Sequence, residues 1–376
     1  MITAGFRSWV EVSREQIAAN FHAVRKTVGG GVQLMPVVKA DAYHHGAVEV
    51  SRILEAEGAR WLAVSSVEEG VALRQAGIRA RILVMAGYLP GEREALFDNR
   101  LTPAVHALSE LRQLERLAAR RNSHLAYHLK IDTGMGRLGT RAAPAEIISA
   151  ARSAPHLVLE GLMTHFASAA LYTSDQTEHQ IDAYHRIRRS LLAAGISPPY
   201  SHLAATIPIA YGRREAWGNM VRPGHAIYGY VSPVRGQAPP NKLDVHPALE
   251  WKASIVDIKE VPPGTPIGYG GMFQTRRRTR VGILAVGYAD GLPHRLSNRG
   301  NVIAAGCLAP ILGAVSMDLT AVDLTEAPGL NVGDAVTLLG RHGDIRIDAQ
   351  QIARTAGTIS YSVLCSISPR VKRIYL

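Results

Sequence analysis

Eight short runs of β-branched and aliphatic residues recur between residues 32 and 224, and longer amphipathic stretches separate most of them. Such runs are typical of parallel strands buried on both faces, and the amphipathic stretches are typical of connecting helices. The runs are 32–39, 60–65, 81–85, 101–105, 124–131, 156–165, 200–204 and 219–224. Eight strand-and-helix units in about 200 residues predict a (β/α)8 TIM barrel rather than an open doubly wound sheet.

The pattern changes near residue 240, where the segment QAPPNKLDVHP is typical of a linker. After it, short strand-like runs alternate with glycine and proline turns, and almost no helical pattern occurs. We therefore predict an α/β chain with two domains, a (β/α)8 barrel in residues 1–243 and a C-terminal β-rich domain in residues 244–376. Residues 1–12 are candidates for pairing with the β domain.

The composition narrows the classes of function. Of the 376 residues, 47% are hydrophobic and 19% are charged, as in a folded globular protein. Without a signal peptide or an apolar run of about 18 residues, a cytoplasmic protein with no membrane partner is expected. Cys307 and Cys365 are too few for a disulfide framework and lack metal-site spacing, so no metal is expected.

The net charge of +11 could attract nucleic acid, but the basic residues are dispersed along the chain. The one dense run, residues 276–280, has no interleaved aromatic residues and is typical of a solvated loop. We therefore expect no nucleic-acid partner, and attraction of small anions instead.

Side chains at the C-terminal ends of the barrel strands are the candidates for chemistry, because active sites of TIM barrels lie there. We expect the first strand to end in Lys39, with Met35 and Val37 on the same face. Lys39 is then either an amine of lowered pKa, suited to a Schiff base, or a strand-end cation that reaches water.

Polar residues also mark later strands. The fifth strand is expected to carry His128, Lys130 and Asp132 on one face, and these groups need partners or a task inside a barrel. They form either an ion-pair network or part of a site. His165 at the end of the sixth strand and Arg222 after the eighth are further strand-end candidates.

The segment KIDTGMGRLG at residues 130–139 contains the pattern G-x-G-x-x-G, and Glu160 lies 21 residues after Gly139. Both features match a dinucleotide-binding turn. However, the segment follows the fifth expected strand, and Arg137 stands inside the glycine run. We therefore do not favour a dinucleotide-binding turn here.

Several stretches together resemble one family, the alanine racemases, which are pyridoxal-phosphate (PLP) enzymes with a TIM barrel followed by a β domain. The stretches are VVKADAY at 37–43, KIDTGMGRLG at 130–139, THF at 164–166, VRPG at 221–224, YG at 269–270, GYADG at 287–291, SMD at 316–318 and SYSVLCSISPRVKRIY at 360–375. They follow the family's order over nearly the whole chain, which makes the series specific.

The resemblance implies that Lys39 forms the Schiff base with PLP. The other cofactor-binding residues that it implies are Tyr43, His165, Thr206, Arg222, Gly224 and Tyr361. Thr206 and Gly224 follow the seventh and eighth strands, where barrel geometry by itself expects phosphate. Arg222 would face the pyridine nitrogen, and because a guanidinium hardly gives up its proton, PLP would be a weaker electron sink.

The resemblance further implies two bases, Lys39 on one face of the α carbon and Tyr269, contributed across a subunit interface, on the other. The pKa of the Tyr269 phenol would have to be lowered for this role, and the family suggests a link through His165 to Arg222. A head-to-tail homodimer with its active sites at the interface follows.

The same resemblance assigns amino-acid binding to Arg137 and to Met317 of the neighbouring subunit. Lys130 matches a lysine that some relatives carbamylate, which would turn a cation into an anion able to orient Arg137. Pairing of Lys130 with Asp132 is the other interpretation, and the sequence leaves both open.

The chain departs from the family's usual residues at several positions. His44 stands in place of a glycine, and His225 stands in place of an apolar residue. Ala170 replaces an acidic residue, and Ala314 and His294 each replace an arginine. Ala205 and Thr206 replace an asparagine-serine pair. Loss of an acid together with bases indicates removal of an ion pair, since a single deletion would strand a buried charge. We therefore hypothesise a wider, less charged access corridor and tolerance for amino acids larger than alanine.

The sequence thus predicts an isomerase, a PLP-dependent amino-acid racemase that acts on alanine and serves D-alanine biosynthesis. Decarboxylation or transamination on the same scaffold is the alternative, and an acidic partner for the pyridine nitrogen would favour it. A non-catalytic PLP carrier is a further alternative, but it would need neither the second domain nor Tyr269.

Overall fold

The computed structural model describes residues 5–376, and the chain divides into two compact units. The barrel unit comprises Ile17–Ala42 and Ala47–His246, and the β unit comprises the described residues through Gln16, Tyr43–Gly46 and Pro247–Leu376. The domain boundary expected between residues 243 and 244 stays a prediction. None of the helices among the described residues has the length and apolarity to span a bilayer.

The strands are β1 (Ser8–Val12), β2 (Gln33–Leu34), β3 (Trp61–Val64), β4 (Arg81–Val84), β5 (Leu101–Val105), β6 (Leu125–Lys130), β7 (Leu157–Met163), β8 (Tyr200–His202), β9 (Met220–Val221), β10 (Leu249–Val261), β11 (Pro266–Ile267), β12 (Phe273–Gln274), β13 (Thr279–Leu284), β14 (Asn301–Ala304), β15 (Cys307–Leu312), β16 (Thr320–Asp323), β17 (Ala335–His342), β18 (Ile345–Ile347) and β19 (Lys372–Tyr375).

The helices are α1 (Arg14–Val28), α2 (Lys39–His44), α3 (Ala47–Ala56), α4 (Val67–Gln75), α5 (Arg93–Asp98), α6 (Leu108–Arg120), α7 (Pro144–Arg152), α8 (Gln176–Ala193), α9 (Thr206–Ala210), α10 (Ala349–Ala356) and α11 (Ser360–Ser366). Short 3-10 turns occur at Pro90–Glu92, Arg214–Ala216, His225–Tyr228, Tyr269–Gly271, Tyr288–Asp290 and His294–Leu296.

The barrel unit is a closed ring of eight parallel strands. Strands β3 to β8 form one parallel sheet in sequence order, and β2 pairs in parallel with β9. Backbone hydrogen bonds join the two sheets: Ala63 N–H donates to Pro36 O at 2.9 Å, and Arg222 N–H donates to Ala204 O at 2.9 Å. The predicted TIM barrel is therefore confirmed, with all eight expected runs in its wall.

The prediction that the first barrel strand extends to Lys39 is wrong. Regular pairing of β2 stops at Leu34, and Val37 makes one isolated bridge to Ala63. Pro36 lacks the N–H that a regular ladder uses, and the chain turns into a left-handed helix at Ala40. Lys39 therefore begins a helical turn and does not close a strand face.

The β unit contains a nine-stranded sheet in the order β18-β17-β14-β15-β16-β13-β10-β1-β19. Strand β1 pairs antiparallel with β10 and parallel with β19. The expectation of almost no helix here is wrong, because α10 and α11 are both present. Asp348 caps α10 by accepting from Gln351 N–H at 2.8 Å, and Gly357 ends it in the left-handed conformation.

Candidate active site

Lys39 lies at the start of a strained left-handed turn. The five residues that follow, 40–44, all have φ between +50° and +62°, and none of them is glycine. Each costs about 1–2 kcal/mol relative to a right-handed turn. The Ala40 N–H donates to Glu69 Oε1 at 2.7 Å, which anchors the turn next to Lys39. Strain of this size is retained where the surroundings over-determine the backbone, most often at functional sites.

The loop after β6 is organised by Asp132. Its Oδ1 accepts hydrogen bonds from the N–H groups of Gly134, Met135 and Gly136 at 3.0–3.1 Å, and its Oδ2 accepts from Arg141 Nε at 2.7 Å. Burial opposes ionisation of Asp132, but these donors outweigh it and lower its pKa to about 2.

The glycines of this loop have a local structural reason. Gly139 has a φ of +121°, and a Cβ there would lie 2.7 Å from Asp132 N, so no larger residue fits. The loop closes on itself through Thr140 N–H, which donates to Lys130 O at 2.9 Å. Arg137 is exposed at the tip of this closed loop. Glu160, the acid that the dinucleotide interpretation required, forms an ion pair with Arg81 inside the barrel unit instead.

Four positively charged side chains of the barrel unit are close enough to affect one another's pKa or charge: Lys39, Lys130, Arg137 and Arg222. Lys130 is 5% exposed, and burial together with the charges of Arg222, Arg137 and Lys39 lowers its pKa to about 8. Burial and the same positive charges lower the pKa of His165 to about 3, so its ring is neutral near pH 7. The grouping favours an anionic ligand such as phosphate or carboxylate.

Arg222 is buried without a carboxylate partner among the described residues. Its Nη1 donates to His202 Nδ1 at 2.7 Å and to His202 O at 2.8 Å, and its Nη2 donates to Thr164 O at 2.7 Å and Leu203 O at 3.0 Å. His165 Nδ1 lies 3.5 Å from Nη2, at the limit of a hydrogen bond. Burial lowers the pKa of Arg222 to about 10, which leaves it charged at neutral pH.

A small cradle for an anion lies where β8 and β9 end. The Thr206 hydroxyl is buried and accepts from Gly224 N–H at 3.3 Å and from Ala226 N–H at 3.2 Å. Thr206 and Gly224 follow the seventh and eighth barrel strands, whose loops frequently bind phosphate in TIM barrels. Thr206 and Gly224, singled out from the sequence, therefore lie together.

Two tyrosines of the β unit are neighbours. The rings of Tyr43 and Tyr361 have centroids 5.9 Å apart, with their planes inclined by 45°. Burial, together with the proximity of Tyr361 and Cys365, raises the pKa of Tyr43 far above its usual range. Tyr43 therefore stays protonated and can donate a hydrogen bond to an anion.

Tyr269 lies on a short turn between Gly268 and Gly270, which have positive φ values of +73° and +67°. The phenol is 76% exposed, and Met317 of the same unit is 54% exposed. Tyr269 and Ala314 both line an open cavity of about 450 Å³. Exposed aromatic and apolar side chains beside a cavity are typical of a surface that another molecule covers.

The donor set fits PLP. The barrel unit offers an amine at Lys39, a phosphate cradle at Thr206 and Gly224, and a guanidinium at Arg222 for a ring nitrogen.

Comparison with known proteins decides the family. The family model described as "Alanine racemase, N-terminal domain" matches residues 12–233, and the one described as "Alanine racemase, C-terminal domain" matches residues 248–375. The chain belongs to the alanine racemase family.

Curated and solved members of the alanine racemase family match over nearly their full length. The chain is 42% identical to the alanine racemase of Halothermothrix orenii over 98% of this chain and 96% of the relative. It superposes on the alanine racemase of Clostridium difficile 630 with a TM-score of 0.92 and 32% identity, over 99% and 96% of the two chains. The alanine racemase of Bartonella henselae, solved with covalently bound pyridoxal phosphate, gives a TM-score of 0.86 at 26% identity, over 99% and 100%.

Membership in the alanine racemase family confirms the resemblance, the fold class, the isomerase assignment and the PLP requirement. The roles of individual residues stay predictions. Sequence reasoning missed two side chains close to them, His202 and Gln180. It named His128 but assigned it no partner. Gln180 is 1% exposed and bridges Thr133 Oγ1 and His165 O at 3.1 and 3.0 Å. A glutamine inside an otherwise apolar helical face was the available signal.

Proposed function

We propose that this alanine racemase family member interconverts L- and D-alanine with Lys39 and Tyr269 as its two bases. The observation that carries the proposal is the buried Arg222, whose partners are a histidine nitrogen and carbonyl oxygens. When bound, PLP supplies an electron sink for the pair left on Cα after proton removal. A guanidinium that stays charged does not hand a proton to the ring nitrogen, so the sink stays weak and return of the proton to Cα is favoured.

The other cofactor contacts are assigned to the residues that the sequence singled out. Lys39 would hold PLP covalently, Thr206 and Gly224 would bind its phosphate, and Tyr43 with Tyr361 would donate to the same anion. His165, neutral and next to Arg222, would contact the cofactor ring without adding charge. An aspartate or glutamate facing the ring nitrogen would favour transamination, and Arg222 supports racemisation instead.

Two bases suit a reaction that must deliver protons to both faces of a planar carbon. Lys39 is a primary amine in a cationic environment, and Tyr269 is an exposed phenol on a glycine-rich turn. Arg137 and Met317 would bind the amino acid, with the guanidinium also available to stabilise the Tyr269 phenolate.

We infer a cytoplasmic, head-to-tail homodimer in which Tyr269 and Met317 serve the neighbouring subunit's site. Support comes from the 76% and 54% exposure of these side chains, which is large for apolar or aromatic groups. In this arrangement the cavity beside Tyr269 and Ala314 would be closed by the second subunit.

Complementation between inactive variants tests the shared site. We expect Lys39→Ala and Tyr269→Phe each to abolish racemisation of L-alanine, while Tyr211→Phe stays active. Co-expressed in equal amounts, the two inactive chains should regain about one quarter of wild-type activity, because half the dimers are mixed and each has one intact site. No recovery from mixed dimers would show that both bases come from one chain.

Isotope exchange tests the two-base assignment separately. In deuterium oxide, Tyr269→Phe should still exchange the α proton of one alanine enantiomer through Lys39 while failing to form the other enantiomer. Exchange from both enantiomers at equal rates would contradict the assignment of separate faces.

A further inference from the structure

A buried hydrogen-bond chain leads from Arg222 into the barrel. His202 and His128, which we call the histidine pair, have no exposed surface. Arg222 Nη1 lies 2.7 Å from His202 Nδ1, and His202 Nε2 lies 2.8 Å from His128 Nδ1. His128 Nε2 lies 3.8 Å from Glu160 Oε2, and Glu160 pairs with Arg81 at the N-terminal end of β4. Hydrogen bonds thus connect the guanidinium to two imidazoles in series, and the Glu160 carboxylate faces the second imidazole at 3.8 Å, beyond hydrogen-bond distance.

The direction of the protons in this chain is fixed by its first member. A guanidinium donates and cannot accept, so His202 Nδ1 must be the acceptor and its proton must be on Nε2. That proton is donated to His128 Nδ1, which leaves the His128 proton on Nε2 beside Glu160. A proton on either Nδ1 would place two donors face to face. Burial, together with the charge of Arg222, lowers the pKa of His202 well below its usual range, so both rings are neutral.

Two local features of β6 and β7 accommodate the chain. Tyr127 pairs with Leu159 and His128 pairs with Gly161, so Glu160 is the extra residue of a β-bulge. Bulges re-aim a side chain, and this one directs Glu160 toward His128. A Cβ on Gly161 would lie 2.5 Å from the His128 ring, so the imidazole occupies space that another residue would fill.

This hydrogen-bond chain also explains how the buried guanidinium of Arg222 is stable without a neighbouring carboxylate. The nearest partners of Arg222 are neutral, and the carboxylate of Glu160 stands two imidazoles away. Aligned hydrogen bonds in a buried site polarise one another, so the negative charge strengthens the acceptor that His202 presents to Arg222.

We propose that His202, His128 and Glu160 are positioning residues for racemisation, which hold the Arg222 guanidinium in the orientation it needs toward the pyridine nitrogen of PLP. This inference rests on the proposed function. None of the three residues contacts the reacting atoms in the proposal; they act through Arg222.

Nitrogen-15 NMR of histidine side chains tests the arrangement in the PLP-loaded enzyme and in the PLP-free enzyme. Both members of the histidine pair should be neutral Nε2–H tautomers in each sample. Resonances are assigned by their loss in His202→Phe and His128→Phe. An Nδ1–H tautomer or a doubly protonated ring at His202 overturns the proposal, whatever the enzyme's activity.

Kinetics and absorbance test the link to the reaction. His202→Phe removes the acceptor for Arg222, whereas His202→Asn keeps an oxygen near the position of Nδ1. We expect kcat for alanine to fall about 10- to 100-fold in His202→Phe, the rate equivalent of one lost hydrogen bond to a charged group, with KM within about twofold. The asparagine variant should recover part of kcat. The visible band of bound PLP should shift in the phenylalanine variant, and transamination per racemisation turnover should rise.

The matched control is His156→Gln, which removes a half-exposed histidine paired with Glu115 at 2.7 Å. It should leave kcat, the PLP band and the transamination fraction at wild-type values. If the wild type is inactive, the proposed function is wrong, but the NMR test of the hydrogen-bond arrangement is unaffected. An active wild type with an unchanged kcat and PLP band in His202→Phe overturns the positioning role. If that variant does not fold, an unchanged kcat and PLP band in both His128→Phe and Glu160→Gln overturn it instead.

Discussion

Asp132 accepts a hydrogen bond from Arg141 Nε at 2.7 Å, and no ion pair joins it to Lys130 within the described part of the chain. The carboxylate is also saturated by three backbone N–H groups of its own loop. Lys130 therefore makes no direct ion pair with Asp132 among the described residues, and its state stays a prediction. Burial and the charges of Arg222, Arg137 and Lys39 lower the pKa of Lys130, and the more distant charge of Asp132 offsets part of that effect.

The first prediction is that Lys130 is carbamylated. With a pKa of about 8, roughly a tenth of the amine is neutral at pH 7, and carbon dioxide reacts with the neutral form. A carbamate would replace a destabilising cation by an anion beside Arg137 and Arg222. Enzyme equilibrated with carbon-13 bicarbonate should show one carbamate resonance whose intensity rises from pH 7 to pH 9.

The resonance should vanish in Lys130→Met and remain in Lys259→Met, since Lys259 is an exposed lysine paired with Asp257. A resonance that persists without Lys130, or is missing from the wild type, contradicts the prediction.

The second prediction concerns acid stability. The pKa of Asp132 is lowered in the folded state, so its contribution is complete above about pH 4 and is lost as the pH falls toward 2. Asp132→Asn should reduce the free energy of unfolding at pH 7 by about 2 kcal/mol, the size of a charged hydrogen bond. Urea unfolding should show that this difference shrinks between pH 4 and pH 2. A difference that is constant over that range would mean that the charge of Asp132 contributes nothing.

The fold could be predicted where the burial of a strand restricts its sequence to apolar residues. Strands such as β4 and β5 are covered on both faces, so their sequences are nearly continuous runs of β-branched or aliphatic residues, and these runs can be recognised in the sequence alone. The α10 helix was also visible in principle, because Asp348, Gln351 and Gly357 stand at capping positions. It was missed because its eight residues are short beside the surrounding strand-like runs.

The site was predictable only in part. Strand ends and the family's motifs drew attention to Lys39, Arg222 and Thr206, whose roles stay predictions. The left-handed turn after Lys39 was not predicted, since no ordinary residue prefers positive φ and tertiary contacts impose it. The contact between His128 and Glu160 depends on a β-bulge, which shifts the register by one residue and has no periodic pattern in the sequence.

The third prediction uses His44, which has a φ of +62° at a position where the family resemblance leads us to expect glycine. Its Nδ1–H donates to Ile367 O at 2.6 Å, which offsets the strain. His44→Ala keeps the strain and loses the bond, whereas His44→Gly also loses the strain. We expect the glycine variant to be about 1 kcal/mol more stable than the alanine variant, with neither above the wild type. Urea midpoints measure the order, and an alanine variant as stable as the glycine variant would show that the turn is unstrained.

The fourth prediction concerns substrate range. Ala314 lines the cavity beside Tyr269, and the family resemblance leads us to expect an arginine at this position. Without that side chain the cavity has room for longer amino acids, so the wild type should racemise L-serine and L-lysine as well as L-alanine. Ala314→Arg should lower kcat/KM for L-lysine by about tenfold, by bulk and by like charge, while the value for alanine changes little.

Ala314→Ser is the matched control for that variant, because it adds a hydroxyl without bulk or charge, and its substrate profile should follow the wild type. Loss of optical rotation on a panel of L-amino acids provides the measurement. Turnover of alanine with complete failure on serine, lysine and arginine would refute the wider corridor. In that case Ala170 and Ala314 would reflect loss of an ion pair with no effect on specificity, because deleting both partners of a pair leaves no buried charge to change the site.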